Sequence, residues 1–157
     1  MRALAALGAL FLGGCTFGTL PTSRCIEYYG QGVVDAAAQA RAAGSITREA
    51  YAYCADGKAR IDAAIPPLRA HGFRTSEPGR HFEVPGGWCV GAERAVSGAE
   101  FDAMRSLETI CAIGDASKAY FTGGSLTSTD GRSHAILSTF DRKARDELEA
   151  RLKKNAQ

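Results

Sequence analysis

The sequence predicts a mainly α fold: a small, disulfide-stapled bundle of about four helices with one long irregular loop. Three observations lead there. Aromatic residues are only 8% of the chain while alanine is abundant, which favours close-packed helices over a β-sandwich. Apolar residues recur at steps of three and four in several stretches beyond residue 23. Cysteines at 25, 54, 89 and 111 can staple such a bundle. With 157 residues in all, the chain has room for one core and one folded domain.

The first fifteen residues are not part of that domain. Arg2 gives a short positive start, Ala3 to Leu12 is an uncharged apolar run, and Gly13 and Gly14 are small. That is the layout of a secretory signal, with an apolar run too short to span a bilayer. Leu12-Gly13-Gly14-Cys15 resembles the lipobox of bacterial lipoproteins. The resemblance covers residues 1–15 only and implies removal of 1–14 and lipidation of the Cys15 thiol. Thr16 follows the cysteine; the absence of an adjacent Asp implies, by the same resemblance, the outer membrane. Each buried acyl methylene contributes roughly 0.8 kcal/mol, so two or three chains hold a folded domain at a bilayer. Residues 15–23, with Gly18 and Pro21, read as a tether, and 24–157 as a single helical domain.

Within that domain, Ser23 caps a first helix whose stripe is Ile26, Tyr29, Val33, Ala37 and Ala40, ended by Ala43-Gly44-Ser45. Gly30 and Gly32 weaken its first turns. Thr47 as N-cap and Glu49 in the first turn predict a second helix, with Ala50, Cys54, Ile61, Ile65 and Leu68 as its stripe. Asp56-Gly57 is a soft point, and Pro66-Pro67 should kink or stop it. Residues 71–91 carry Gly72, Pro78, Gly79, Pro85, Gly86, Gly87 and Gly91 and read as the long loop, with 81–84 as a short strand at most. Ser97-Gly98-Ala99-Glu100 fits a capping box for a helix with Phe101, Met104, Leu107 and Cys111 on one face and Gly114-Asp115 at its end. Over 123–140 two readings stand. One is a β-hairpin turning at Asp130-Gly131; the other, slightly preferred because Gly123-Gly124 and the following Ser/Thr residues bury little, is a linker with a helix from Ser133. A last helix carries Phe140, Ala144, Leu148 and Leu152.

Set apart from Cys15, the four remaining cysteines are even in number, and an export signal implies an oxidising compartment, so Cys25, Cys54, Cys89 and Cys111 should form two disulfides. No Cys-x-x-Cys occurs, which argues against a redox motif or zinc ribbon. In an antiparallel helix pair Cys25 would lie roughly 15 Å from Cys54. Cys89 reaches Cys111 more easily, so Cys89–Cys111 is favoured, with Cys25–Cys54 by elimination.

Chemistry is harder to find. A formal net charge of only +2, with both signs mixed, argues against a nucleic-acid surface. Gly-x-Ser-x-Gly and phosphate-loop patterns are absent; Ser125, Ser133 and His134 are near in sequence without being a triad. His71, His81 and Glu83 could form a zinc or acid/base site, but their spacing matches no known ligand pattern and solvated loop residues are the simpler reading. The expectation is therefore no catalytic residue, no metal and no cofactor. The chain reads as a lipid-anchored, non-enzymatic envelope module that binds a protein partner, not nucleic acid. Phe73, Arg74, Arg80, Phe82 and Trp88 of the loop are its candidate contacts, because aromatics and arginine dominate interface hot spots. An envelope hydrolase acting on peptidoglycan or glycan, or an inhibitor or immunity lipoprotein, is the alternative.

Overall fold

In the computed structural model, residues 21–81, 86–97, 101–144 and 146–147 are described. The lipobox and Cys15, most of the tether, Phe82, Glu83, Glu100, Leu148 and Leu152 lie outside them. The elements run α1 (Thr22–Ala42), β1 (Ile46–Ala55), α2 (Lys58–Ala70), β2 (Arg74–Thr75), β3 (Gly79–Arg80), β4 (Trp88–Ala95), α3 (Ala103–Ser117), β5 (Tyr120–Ser128) and β6 (Ser133–Ile136), with 139–144 helical again.

The mainly α expectation is thus wrong. Six strands form one antiparallel sheet in the order β2-β4-β1-β5-β6, with β3 also paired to β4. Strand β1 is its centre, and β4-α3-β5 straddles it as a split β-α-β unit. The three long helices pack on one face.

The error has a local cause in β1. Residues 46–55 alternate: Glu49, Tyr51, Tyr53 and Ala55 are buried, whereas Arg48 is exposed and Ala50 and Ala52 half-buried. Two of the outward positions are alanines and an inward one is a glutamate, so hydropathy hides the period of two. What remained visible, Ile46, Thr47, Tyr51 and Tyr53, is β-branched and aromatic, the composition strands favour. The predicted second helix therefore begins only at Lys58. It runs through Pro66 and Pro67 to Ala70. The carbonyls those prolines leave unbonded belong to exposed Asp62 and Ala63, where water can serve them.

Helix α1 keeps the expected stripe: Cys25, Tyr29, Val33, Ala36, Ala37 and Ala40 are buried, and Gly44 takes φ +138° just beyond it. It begins at Thr22, inside the expected tether, whose backbone N and hydroxyl both donate to Asp115 (3.3 and 3.1 Å). Gly32 is present for space: a Cβ there would lie 2.0 Å from the Leu137 carbonyl oxygen.

Helix α3 is capped by Asp102, whose carboxylate accepts from the Met104 and Arg105 amides (3.0 and 3.1 Å). The cap is therefore not Ser97, and the helix ends at Lys118 in the left-handed region, past Gly114-Asp115.

The hairpin reading, not the linker, holds for 123–136. Strands β5 and β6 pair from Gly124↔Ile136 to Thr127↔Ser133, and Gly131 takes φ +82° in the turn. Gly124 lies opposite Tyr51, where a Cβ would stand 2.3 Å from the Ala50 carbonyl and 2.6 Å from the Tyr51 ring. The glycines that argued against a strand are what let two strands approach under a tyrosine.

Both disulfides form, with pairings opposite to the favoured ones: Cys25–Cys111 joins α1 to α3, and Cys54–Cys89 joins β1 to β4. The geometric argument fails because Cys54 sits on a strand of the sheet, directly opposite Cys89, and not on a helix beside α1.

Candidate functional site

The segment 71–91 is less irregular than its glycines and prolines suggest. β2 and β3 clip it to β4 through Arg74↔Glu93, Thr75↔Ala92, Gly79↔Cys89 and Arg80↔Trp88. Ser76 continues the edge: its amide donates to the Gly91 carbonyl and its hydroxyl accepts from the Gly91 amide, both at 2.9 Å.

The candidate contacts divide. Phe73 is buried, edge-on to Tyr51 at 5.9 Å and beneath the Arg94 guanidinium at 4.5 Å. It belongs to the core and offers nothing to a partner. Arg74 is exposed and donates to Glu93 at 2.6 Å. Arg80 is exposed and lies 5.2 Å from the half-buried Trp88 ring, which Lys58 also approaches at 5.8 Å. Phe82 is outside the described residues.

Together these residues border a feature the sequence did not announce: the sheet face opposite the helices. Its floor is Ala50, Ala52, Gly91, Gly123 and Ser125, all partly exposed, extended by exposed Ala135 on β6. Side chains that small leave the backbone itself as the surface. Between β1, β4 and the 74–76 edge the floor dips into a trough of about 500 Å³ lined by Ala50, Arg74, Thr75, Ser76, Gly91 and Glu93. Glu93 contacts two arginines, Arg74 and Arg48 (2.6 and 3.5 Å), and the guanidinium beside it holds its carboxyl below the usual range. Two cations, Arg74 in the lining of the trough and Arg48 beside it, share one anion, so the group around Glu93 has one positive charge in excess. The missed signal was the run of small residues at alternate positions of a strand.

A second polar cluster sits under the helix face. Glu49 is fully buried and accepts hydrogen bonds from the Tyr51 hydroxyl (2.5 Å), the Ser106 hydroxyl (2.5 Å) and Arg94 Nε. Arg94 Nη1 also donates to the His71 carbonyl at 2.6 Å. Burial, and next the neighbouring Glu49, push the Tyr51 hydroxyl far above its ordinary pKa, so it stays a donor. Glu49 has no exposed surface on which to meet a substrate. The cluster's work is to tie β1, β4, α2 and α3 together, and the cleft above it, with His71, Arg105 and Thr109 on its walls, opens onto Arg94 rather than onto the carboxylate.

His71 and His81 do not share a site. His71 lines that cleft, whereas a nitrogen of His81 lies within 4.8 Å of the Cys54 and Cys89 sulfurs. On the β5–β6 turn, Ser128 donates to Asp130 at 2.5 Å and lies 3.2 Å from His134 Nε2. The aspartate holds the serine rather than the histidine, which is the reverse of a catalytic relay. Ser125 sits on the open floor, away from this group.

No helix among the described residues is long and apolar enough to cross a membrane. Comparison with protein-family models, curated proteins and solved structures returned no match.

Proposed function

We propose that this chain is an outer-membrane lipoprotein, anchored by lipid on Cys15, whose open sheet face binds an acidic segment of another envelope protein. The address rests on the signal layout and on Leu12-Gly13-Gly14-Cys15. The binding reading rests on one observation: a sheet face floored by Ala, Gly and Ser, with the long helices among the described residues packed on the other side. Sheets normally bury one face and fill the other with polar side chains. A floor stripped of side chains brings a partner to van der Waals contact with the backbone, and the Arg48–Glu93–Arg74 rim supplies the charge that selects it. The contact surface is accordingly the trough with Arg74, not the full 71–91 set, since Phe73 is internal.

Crosslinking in intact cells, detergent extraction and mass spectrometry test this. The expected result is one stoichiometric envelope protein, crosslinked through an acidic peptide and lost from an Ala52→Arg protein that keeps its far-ultraviolet circular dichroism. Equal recovery with Ala52→Arg would overturn the binding reading. Intact mass of membrane-extracted protein tests the anchor separately, and an unmodified chain beginning at Met1 would overturn it.

A further inference from the structure

The end of the open face holds a set of side chains that the binding reading does not use. Cys54 and Cys89 face one another across β1 and β4, their Cα atoms 4.1 Å apart. His81 follows directly on β3, which pairs with β4 alongside Cys89, and its amide donates to the Gly87 carbonyl at 2.9 Å. The two sulfurs and a His81 nitrogen all lie within 4.8 Å of one another. Ligand bonds near 2.3 Å for sulfur and 2.0–2.1 Å for nitrogen place ligand atoms roughly 3.5–3.8 Å apart around a tetrahedral ion, so the two sulfurs, bonded to one another in the bridge, must part once it is opened.

We propose that, when the Cys54–Cys89 bridge is reduced, Cys54, Cys89 and His81 form a binding site for a thiophilic divalent ion of the zinc class. Reduction requires a dithiol. It becomes a disulfide and passes two electrons and two protons to Cys54 and Cys89, giving two thiols. The incoming ion then displaces both protons and is bound by two thiolates and the neutral imidazole. Three protein ligands leave one tetrahedral position for water or a partner's side chain.

What makes the site more than three nearby residues is that the fold holds it without the bridge. β1 pairs with β4 over eight residues, Arg48↔Ala95 to Ala55↔Trp88, and with β5 on its other side. Opening the disulfide removes a covalent bond but leaves the cysteines opposed at a central strand pair. His81 is set by β3 and by its own backbone bond, so the backbone keeps all three ligands together and only the side chains must turn to admit the ion. The other disulfide differs: Cys25 and Cys111 are buried between helices, and no histidine joins them in a ligand group among the described residues. One disulfide serves the core and the other doubles as a masked ligand pair.

The test is a Co²⁺ titration of the full chain in detergent, reduced anaerobically with a phosphine that is then removed, with far-ultraviolet circular dichroism recorded in parallel. The expected result is one Co²⁺ per chain, sulfur-to-cobalt charge-transfer absorption and tetrahedral d–d bands, all absent from the oxidised protein. His81→Ala should weaken Co²⁺ more than roughly tenfold, since even indirect ligand partners are worth that much. Cys54→Ser should abolish the charge-transfer band and Cys111→Ser should leave it. Absence of the band in the reduced wild-type protein, equal binding by His81→Ala, or binding only as the chain unfolds would each overturn the proposal.

Discussion

Replacing Arg94 with Ala isolates the buried Glu49 carboxylate, and the structure gives the size of the penalty. Glu49 has no exposed surface, whereas 29% of the Arg94 side chain meets solvent. Removing one partner of a buried pair costs about 3–5 kcal/mol, because the other is left as an uncompensated charge. Here the two hydroxyl donors, Tyr51 and Ser106, remain and place the loss toward the lower end, while the lost bond to the His71 carbonyl and the cation over Phe73 push it back up. For a domain of this size that is a fall in Tm on the order of 10–20 °C. The reverse change, Glu49→Gln, should cost less, about 1–3 kcal/mol, because Arg94 can turn to water and keeps its bond to His71. Replacing both by Leu should recover most of the loss. Urea unfolding of oxidised protein, followed by circular dichroism, measures all three. If Glu49→Gln proves costlier than Arg94→Ala, or if both cost under about 1 kcal/mol, the buried carboxylate does not brace the sheet and the reasoning is refuted.

Other consequences are separable. In α1, Gly32→Ala should destabilise by about 1–3 kcal/mol, because its Cβ meets a backbone carbonyl, while Gly30→Ala, whose Cβ meets Met104 at an ordinary 3.7 Å, should stabilise by up to about 1 kcal/mol; thermal melts of the two read opposite signs. Non-reducing peptide mapping should link Cys25 to Cys111 and Cys54 to Cys89, and losing the Cys25–Cys111 bridge should cost on the order of 4 kcal/mol. Hydrogen bonds and adjacent cations hold the Asp115, Glu93 and Asp130 carboxyls below their ordinary values. The folded state therefore binds fewer protons than the unfolded chain as pH falls below those values, and stability should drop there. Asp115→Asn, which keeps the size of the Thr22 acceptor but removes its charge, should flatten the acid limb measured by urea unfolding at stepped pH.

Much of α1 was legible because an amphipathic helix writes its period directly: Tyr29, Val33, Ala37 and Ala40 can only share a face at 3.6 residues per turn. That Cys25, Cys54, Cys89 and Cys111 all enter disulfides was legible from their even number, but which joins which was not, because it depends on Cys54 lying on a strand opposite Cys89. The sheet was not, and the reason is the same property that defines the candidate site. Ala50, Ala52, Gly91 and Gly123 face outward with almost no side chain, so the few polar residues on that side, Arg48, Glu93 and Ser125, are too sparse to mark it, and Glu49 points inward against its hydropathy. Thr47 and Glu49, read as a helix start, then turn 46–55 into a helix that the fold makes its central strand. Of the candidate contacts, Arg74 and Arg80 could be recognised as exposed, but the buried position of Phe73 depends on Tyr51 and Arg94, which only the β1–β4 pairing brings to it.

The most direct test of the central claim is site-specific photo-crosslinking in intact cells, with the photoreactive residue at Ala52 on the open floor or at exposed Gln39 on α1. Binding at the sheet face predicts one discrete adduct from position 52, none from 39, and at least a tenfold loss of the adduct when Arg48 and Arg74 are both changed to Glu. Adducts of equal yield from both positions, or an adduct from 52 indifferent to the charge reversal, would contradict it.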